Sequence, residues 1–224
     1  MAETTARQKR GLTRGAILEE ALALVDTDGL DALSLRTLGK RLRVSQTAIY
    51  RHVPDKEALL DGLAEIVWAE VLAAFDAAPV APTDWRAAAR SYARTLLATL
   101  RAHPNAVVLM LTHPISTPGQ FALVARSLAR LAVMGVTLPG NALDLLCALT
   151  VYTTGFAAAE VAPPAGGAAD EPGAGLDEAL AGATDAERAQ LERLLAPMRA
   201  DGWNLADQFE VGLDALIAGW HERV

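Results

Sequence analysis

A single cysteine, Cys147, stands among 224 residues. One thiol leaves no internal disulfide framework and suits a reducing compartment. Aromatic residues make up only 5% of the chain, and no run of about 18 uninterrupted apolar residues marks a membrane span. The first ten residues are polar and basic, without the apolar stretch of a secretory signal. The four histidines are scattered singly, with no HExxH or paired CxxC spacing to hold a metal. No GxxxxGKS/T loop is present to cradle phosphates. Strand-type alternation is missing too, as is any internal repeat. These absences point away from a membrane protein, a disulfide scaffold or a metal- or nucleotide-dependent enzyme. They suit a cytoplasmic chain that carries no cofactor and is not an enzyme.

What is present favours helices. Hydrophobic residues form 52% of the chain, mostly Ala and Leu, which are good helix formers. The net charge of −7 is unevenly divided. Residues 1–56 hold ten Lys and Arg against seven Asp and Glu, a balance of +3, while the remainder holds ten against twenty, a balance of −10. A local basic excess attracts phosphate even on an acidic protein.

The pattern predicts an all-α chain. Residues 1–11 read as a disordered basic arm. A helix follows from Leu12 to Asp28, with Leu18, Ala21, Leu22 and Val25 on one face and Gly29 as its stop. Ser34 caps a short helix with Leu35, Leu38 and Leu42 inward, and Ser45 caps another, from Gln46 to His52. Asp55 caps a long helix to about Phe75. Pro79–Pro82 marks a junction, after which helices are expected at 84–102, 105–112, 117–134, 140–160, Thr184 to Ala200 and 204–221, with a flexible Pro- and Gly-rich loop at 162–183. The implied organisation is a small helical domain at 12–56, a connecting helix at 57–78, and a larger domain at 79–224.

Two short helices joined by the three-residue turn Arg43-Val44-Ser45 have helix-turn-helix spacing. Ile49 and Val53 face inward, leaving Gln46, Thr47, Tyr50 and Arg51 on the exposed arc. Gln can pair with adenine, Thr can touch a thymine methyl, and Arg can read guanine or bind phosphate. Tyr50, His52 and Lys56 suit phosphate positioning.

The stretch Leu35–Leu60, LRTLGKRLRVSQTAIYRHVPDKEALL, resembles the DNA-binding signature of the TetR (tetracycline repressor) family. The likeness is most specific at Val44-Ser45, at Ile49 to His52 and at Asp55 to Leu60. It implies DNA contacts from Arg36 and Thr37 on the first helix, and from Ser45, Gln46, Thr47, Tyr50, Arg51 and His52 around the second, with Lys56 on a phosphate. Two positions depart: Gly39 stands where alanine is usual, and Arg43 where glycine is usual. Further on, Trp85, His103, Thr112-His113-Pro114, Gly135 and Thr154-Gly155 resemble the tetracycline-repressor branch. That resemblance implies an Ω-shaped homodimer in which helices 140–160 and 204–221 of two chains form a four-helix bundle. Apolar Leu145, Leu146, Leu149 and Val151 agree with it. Cys147, within that apolar run, reads as a small buried hydrophobe.

The larger domain is then expected to hold a small-molecule effector. In the tetracycline-binding members a histidine coordinates drug-bound magnesium. Leu109 or Met110 stands at that position here, and His113 replaces a neighbouring arginine, so the resemblance does not extend to a magnesium-chelated drug and no metal site is expected. Leu109, Met110, Val108, Tyr92, Leu96, Phe121, Tyr152 and Phe156 would line a mainly apolar pocket. Its candidate polar anchors are His103, Asn105, Thr112, His113 and Glu160. The plainer roles are helix capping for His103 and His113, a solvated face for Glu160, and core for Tyr152. The reading is a ligand-responsive repressor of a palindromic double-stranded operator. Its alternative is a helical dimeric interaction protein that has lost operator binding.

Overall fold

Side-chain caps decide where the first helices begin. Thr13 accepts a hydrogen bond from the Ala16 amide, so α1 (Arg14–Asp28) starts later than its apolar periodicity suggests. Gly29, at φ 84°, closes it with an amide bond to the Val25 carbonyl. After a 3₁₀ turn at Leu30–Ala32, Ser34 and Ser45 cap α2 (Leu35–Leu42) and α3 (Gln46–Tyr50) by accepting from the Thr37 and Ala48 amides. Asp55 Oδ1 accepts from the Ala58 amide at 2.7 Å and starts α4 (Lys56–Ala77). Then come α5 (Trp85–Ala102), α6 (Val107–Thr112), α7 (Pro118–Val133), α8 (Ala142–Val161), α9 (Asp185–Asp201) and α10 (Leu205–Ala218). Thr117 with Gln120, and Thr184 with Glu187, form the capping boxes of α7 and α9.

This computed structural model describes residues 12–79, 84–161, 180–201 and 205–221, and among them no strand occurs. The expected basic arm at 1–11, residues 80–82 of the expected junction and residues 162–179 of the expected loop lie outside the described residues.

Two further helices differ from expectation, and Leu180 to Gly182, at the end of the expected loop, are helical. The second short helix ends at Tyr50 rather than His52, because the His52 amide bonds to the Ile49 carbonyl in a tightened exit before Pro54. The helix expected at 105–112 divides into a 3₁₀ turn, Pro104–Ala106, and α6. Pro104 has no amide to donate, and Ala106 bonds back to the His103 carbonyl.

Helix α4 is the axis. Its first half packs on α1, and further along it packs on α5 and α7. Leu59, Leu63, Val67 and Val71 are fully buried along it, each contributing roughly 1.5–3 kcal/mol. Trp68 is buried as well, and its indole N–H donates to the His113 carbonyl at 3.3 Å. Helix α5 packs on α8, and α10 packs on both. Phe209 of α10 sits 5.4 Å from the Tyr152 ring and 5.1 Å from that of Phe156. Arg90–Asp214 and Arg94–Glu210, both at 2.7 Å, pair α5 with α10 on the surface.

Candidate DNA-binding surface and effector cavity

Helices α2 and α3 pack through buried Leu38 and Ile49, with Val53 closing the exit, as the inward positions require. The opposite face is polar. Arg36, Ser45, Gln46, Thr47, Tyr50, Arg51 and Lys56 are exposed, and Thr37 and His52 are half-buried. Tyr50 keeps 49% of its surface in solvent. The Ser45 hydroxyl caps α3, and the Thr37 hydroxyl meets Ser34 Oγ at 2.7 Å, so those two side chains are held in place by the fold. Gln46, Thr47, Tyr50 and Arg51 project from the solvent side of α3 and its exit. Lys56 stands at the amino end of α4, where unpaired amides favour an anion.

The two departures in the helix-turn-helix lie side by side. Arg43 adopts the left-handed conformation, φ 57° and ψ 41°. Its amide bonds to the Lys40 carbonyl, and the Val44 amide to the Gly39 carbonyl, which is a Schellman ending with arginine where glycine is favoured. The same turn brings the Val44 carbonyl oxygen to 3.0 Å from where a Cβ on residue 39 would lie. Glycine at 39 leaves that space open.

A cavity of about 250 Å³ lies among α4, α5, α7 and α8. Leu72 and Phe75 line it from α4, Trp85, Ala88, Ala89 and Tyr92 from α5, and Val124, Ser127, Leu128 and Leu131 from α7. Leu143, Leu145, Leu146 and Leu149 close it from α8. Its polar features are few. The Ser127 hydroxyl is buried without a hydrogen-bond partner. The Tyr92 hydroxyl meets Thr150 Oγ1 at 2.8 Å. Burial pushes the Tyr92 phenol up to about 12, against the opposing pull of that hydrogen bond.

Of the expected pocket residues, the structure places only Tyr92 on this cavity. Leu96, one turn along α5, is fully buried, as are Leu109 and Met110 from α6. Phe121 points outward, 57% exposed. Tyr152 and Phe156 join the Phe209 cluster, and Glu160 pairs with Arg101 at 2.6 Å. The Thr112 hydroxyl donates to the Val108 and Leu109 carbonyls, and His113 Nδ1 lies 2.9 Å from Thr112 Oγ1. His103 and Asn105 face α1 rather than the cavity. The expected lining includes nothing from α4, and from α7 it takes Phe121, on a face turned away from the cavity. Val124, Ser127 and Leu131, spaced by three and four with one hydroxyl in an apolar stripe, were a readable signal.

A third surface is apolar and open. Leu143, Cys147, Val151, Gly155 and Ala159 follow one another at four-residue spacing along the exposed side of α8, with Val151 70% exposed. Val211, Ala215 and Ala218, spaced by four and three, are exposed on α10. Cys147 is thus exposed in the single chain rather than buried. Leu145 and Leu149 turn the other way, into the protein. The apolar surplus of α8, long and apolar enough by composition to cross a membrane, is this stripe.

A helix-turn-helix with a polar recognition face, joined by one helix to a cavity-bearing helical domain, defines a DNA-binding transcriptional regulator. The chain belongs to the TetR family. The family description "Bacterial regulatory proteins, tetR family" matches residues 17–63, and "Tetracyclin repressor-like, C-terminal domain" matches residues 78–224. An HTH-type transcriptional regulator of Saccharopolyspora erythraea is 32% identical over 220 residues, 97% of this chain and 88% of that one. The class G tetracycline repressor protein of Vibrio anguillarum is 28% identical, with 93% of each chain covered. Among solved structures, Streptomyces coelicolor ActR in complex with (S)-DNPA superposes with a TM-score of 0.74 at 25% identity, covering 94% of this chain and 97% of that one.

Proposed function

We propose that the protein is a dimeric repressor that leaves a palindromic operator when a small, mainly apolar effector enters the α4–α5–α7–α8 cavity. One observation carries this reading: α4 begins at Lys56 on the DNA-facing surface and presents Leu72 and Phe75 to the cavity. An effector that displaces Phe75 tilts a rigid lever of about 28 Å between the two points. A tilt of about 5° moves the far end by roughly 2–3 Å. Paired recognition helices must span half-sites about 34–36 Å apart, so such a shift takes them out of register. The DNA contacts are Arg36, Thr37, Ser45, Gln46, Thr47, Tyr50, Arg51, His52 and Lys56.

The cavity walls select the effector. They offer carbon on nearly every side, an unpartnered hydroxyl on Ser127 and the Tyr92 hydroxyl, which is already bonded to Thr150. They suit an organic molecule with an apolar body and one hydrogen-bonding group directed at Ser127. ActR, solved with (S)-DNPA and with actinorhodin, supports an organic effector in this fold. The open stripes of α8 and α10 support a homodimer through a four-helix bundle.

The test is selection of the purified protein against a random duplex library at near-physiological salt. Enrichment of a palindrome with half-sites about one turn apart is the expected result. A folded, dimeric protein that enriches nothing overturns operator binding and favours the interaction-protein alternative. With the palindrome in hand, compounds that quench Trp85 fluorescence are titrated against the complex. Each should weaken DNA binding by the same factor by which DNA weakens its own.

A further inference from the structure

Helix α1 ends badly on its own account. Its last turn has no basic residue to answer the carbonyl end of the helix dipole, and carries Asp26 and Asp28 instead. The missing positive charge arrives from another part of the fold. His103, at the end of α5, places Nδ1 3.0 Å from both carboxylate oxygens of Asp26, and Nε2 2.9 Å from Glu70 Oε2 on α4. Both ring nitrogens therefore face carboxylates, and only the imidazolium has two N–H groups to give. Two residues on, Asn105 Nδ2 donates to the Val25 and Asp26 carbonyls, each at 3.1 Å. The segment is held in place, because the His103 amide closes α5 on the Thr99 and Leu100 carbonyls and Pro104 follows.

We propose that His103 and Asn105 form a charged fulcrum that fastens the DNA-binding module to the effector domain, so that operator affinity depends on the imidazolium. The proposal rests on the repressor reading and adds to it a second attachment besides α4. With α4 alone, a tilt at the cavity would be absorbed by a loose module. Pinned at the α1 terminus as well, the module must turn with α4.

The groups that face the imidazole are Asp26 from α1 and Glu70 from α4. Arg101 on its own helix is engaged with Glu160, and Asp28 leans towards Arg41. Burial pulls the His103 pKa down, yet the hydrogen bonds that the ring donates to Asp26 and Glu70 outweigh it and the net shift is upward. A group raised on folding stabilises the folded form below its unfolded pKa and loses that contribution as pH rises through the folded one. Above it, two carboxylates and a helix carboxyl end face a neutral ring.

The experiment measures affinity of the full-length dimer for its selected palindrome against pH at constant ionic strength, in a His52→Gln background that removes the other imidazole near DNA. Affinity should fall roughly tenfold as pH rises through the His103 transition. His103→Gln should bind about as weakly at every pH, with no step. His103→Arg, which keeps its charge, should retain affinity at the alkaline end, and Asp26→Asn should shrink the step. If His103→Gln keeps both the affinity and the profile of the parent, the fulcrum is overturned. If no palindrome is selected, the repressor reading fails separately, and the fastening is then read by amide hydrogen exchange in α1. Exchange there should speed up at alkaline pH and in His103→Gln but not in His103→Arg; exchange that is alike in all three overturns the proposal.

Discussion

Arg43 holds a conformation that costs an L-residue about 1–2 kcal/mol relative to the right-handed region. Replacing it by glycine removes that strain but adds freedom to the unfolded chain, worth about 0.4–1 kcal/mol. Arg43→Gly should therefore stabilise the protein by about 0.5–1 kcal/mol, read by chemical denaturation. Gly39→Ala has the opposite balance. Better helix propensity, about 1 kcal/mol, meets the Val44 carbonyl at 3.0 Å, so no gain is expected unless the turn relaxes. A gain of the full propensity value would show that the turn yields easily. The recognition face sets a sharper test. Gln46→Ala with Tyr50→Ala removes side chains on the exposed face, outside the buried core, so melting should stay within about 0.5 kcal/mol of the parent. Operator affinity should fall by roughly tenfold or more. Unfolding in place of that loss would mean these side chains belong to the core.

At the scale of elements, Ser127 on α7 sets stability against function. Its hydroxyl is buried and unpaired in the empty cavity, a state that costs about 1–3 kcal/mol. Ser127→Ala should raise the melting temperature by about 2–4 °C, taking 1 kcal/mol as the gain. The same change should weaken any effector that bonds to the hydroxyl; an effector that binds the variant as tightly shows that Ser127 is no anchor. The sequence made most elements legible because their signals are local. Ser34, Ser45, Asp55 and Thr184 cap where their residue type requires, and the buried faces of α1 and α4 repeat at helical spacing. The cavity was not legible, because it depends on which faces of four helices converge. Periodicity tells that Leu96 and Tyr92 share a side of α5, but not that the cavity reaches Tyr92 and stops short of Leu96. His103 was visible as a residue before proline; its carboxylate partners, 33 and 77 positions away along the chain, were not.

The dimer decides whether two weak DNA contacts become one strong one. In a single chain the α8 stripe leaves Val151 70% and Leu143 71% exposed, and its small members, Cys147, Gly155 and Ala159, permit close helix approach. Val151→Glu would place a carboxylate in the middle of the proposed bundle without touching the core of one chain. Burying it unpaired should cost about 3 kcal/mol, roughly a hundredfold in the dimer dissociation constant. Cys147 gives an internal probe, since it is the sole thiol and lies one turn from Val151 on the same stripe. In the dimer a maleimide should react with it slowly, and in Val151→Glu quickly, with operator affinity lost in parallel. Fast labelling of the parent at concentrations where it sediments as a dimer would place the interface elsewhere, and the bundle of α8 and α10 would have to be abandoned even though the fold remained.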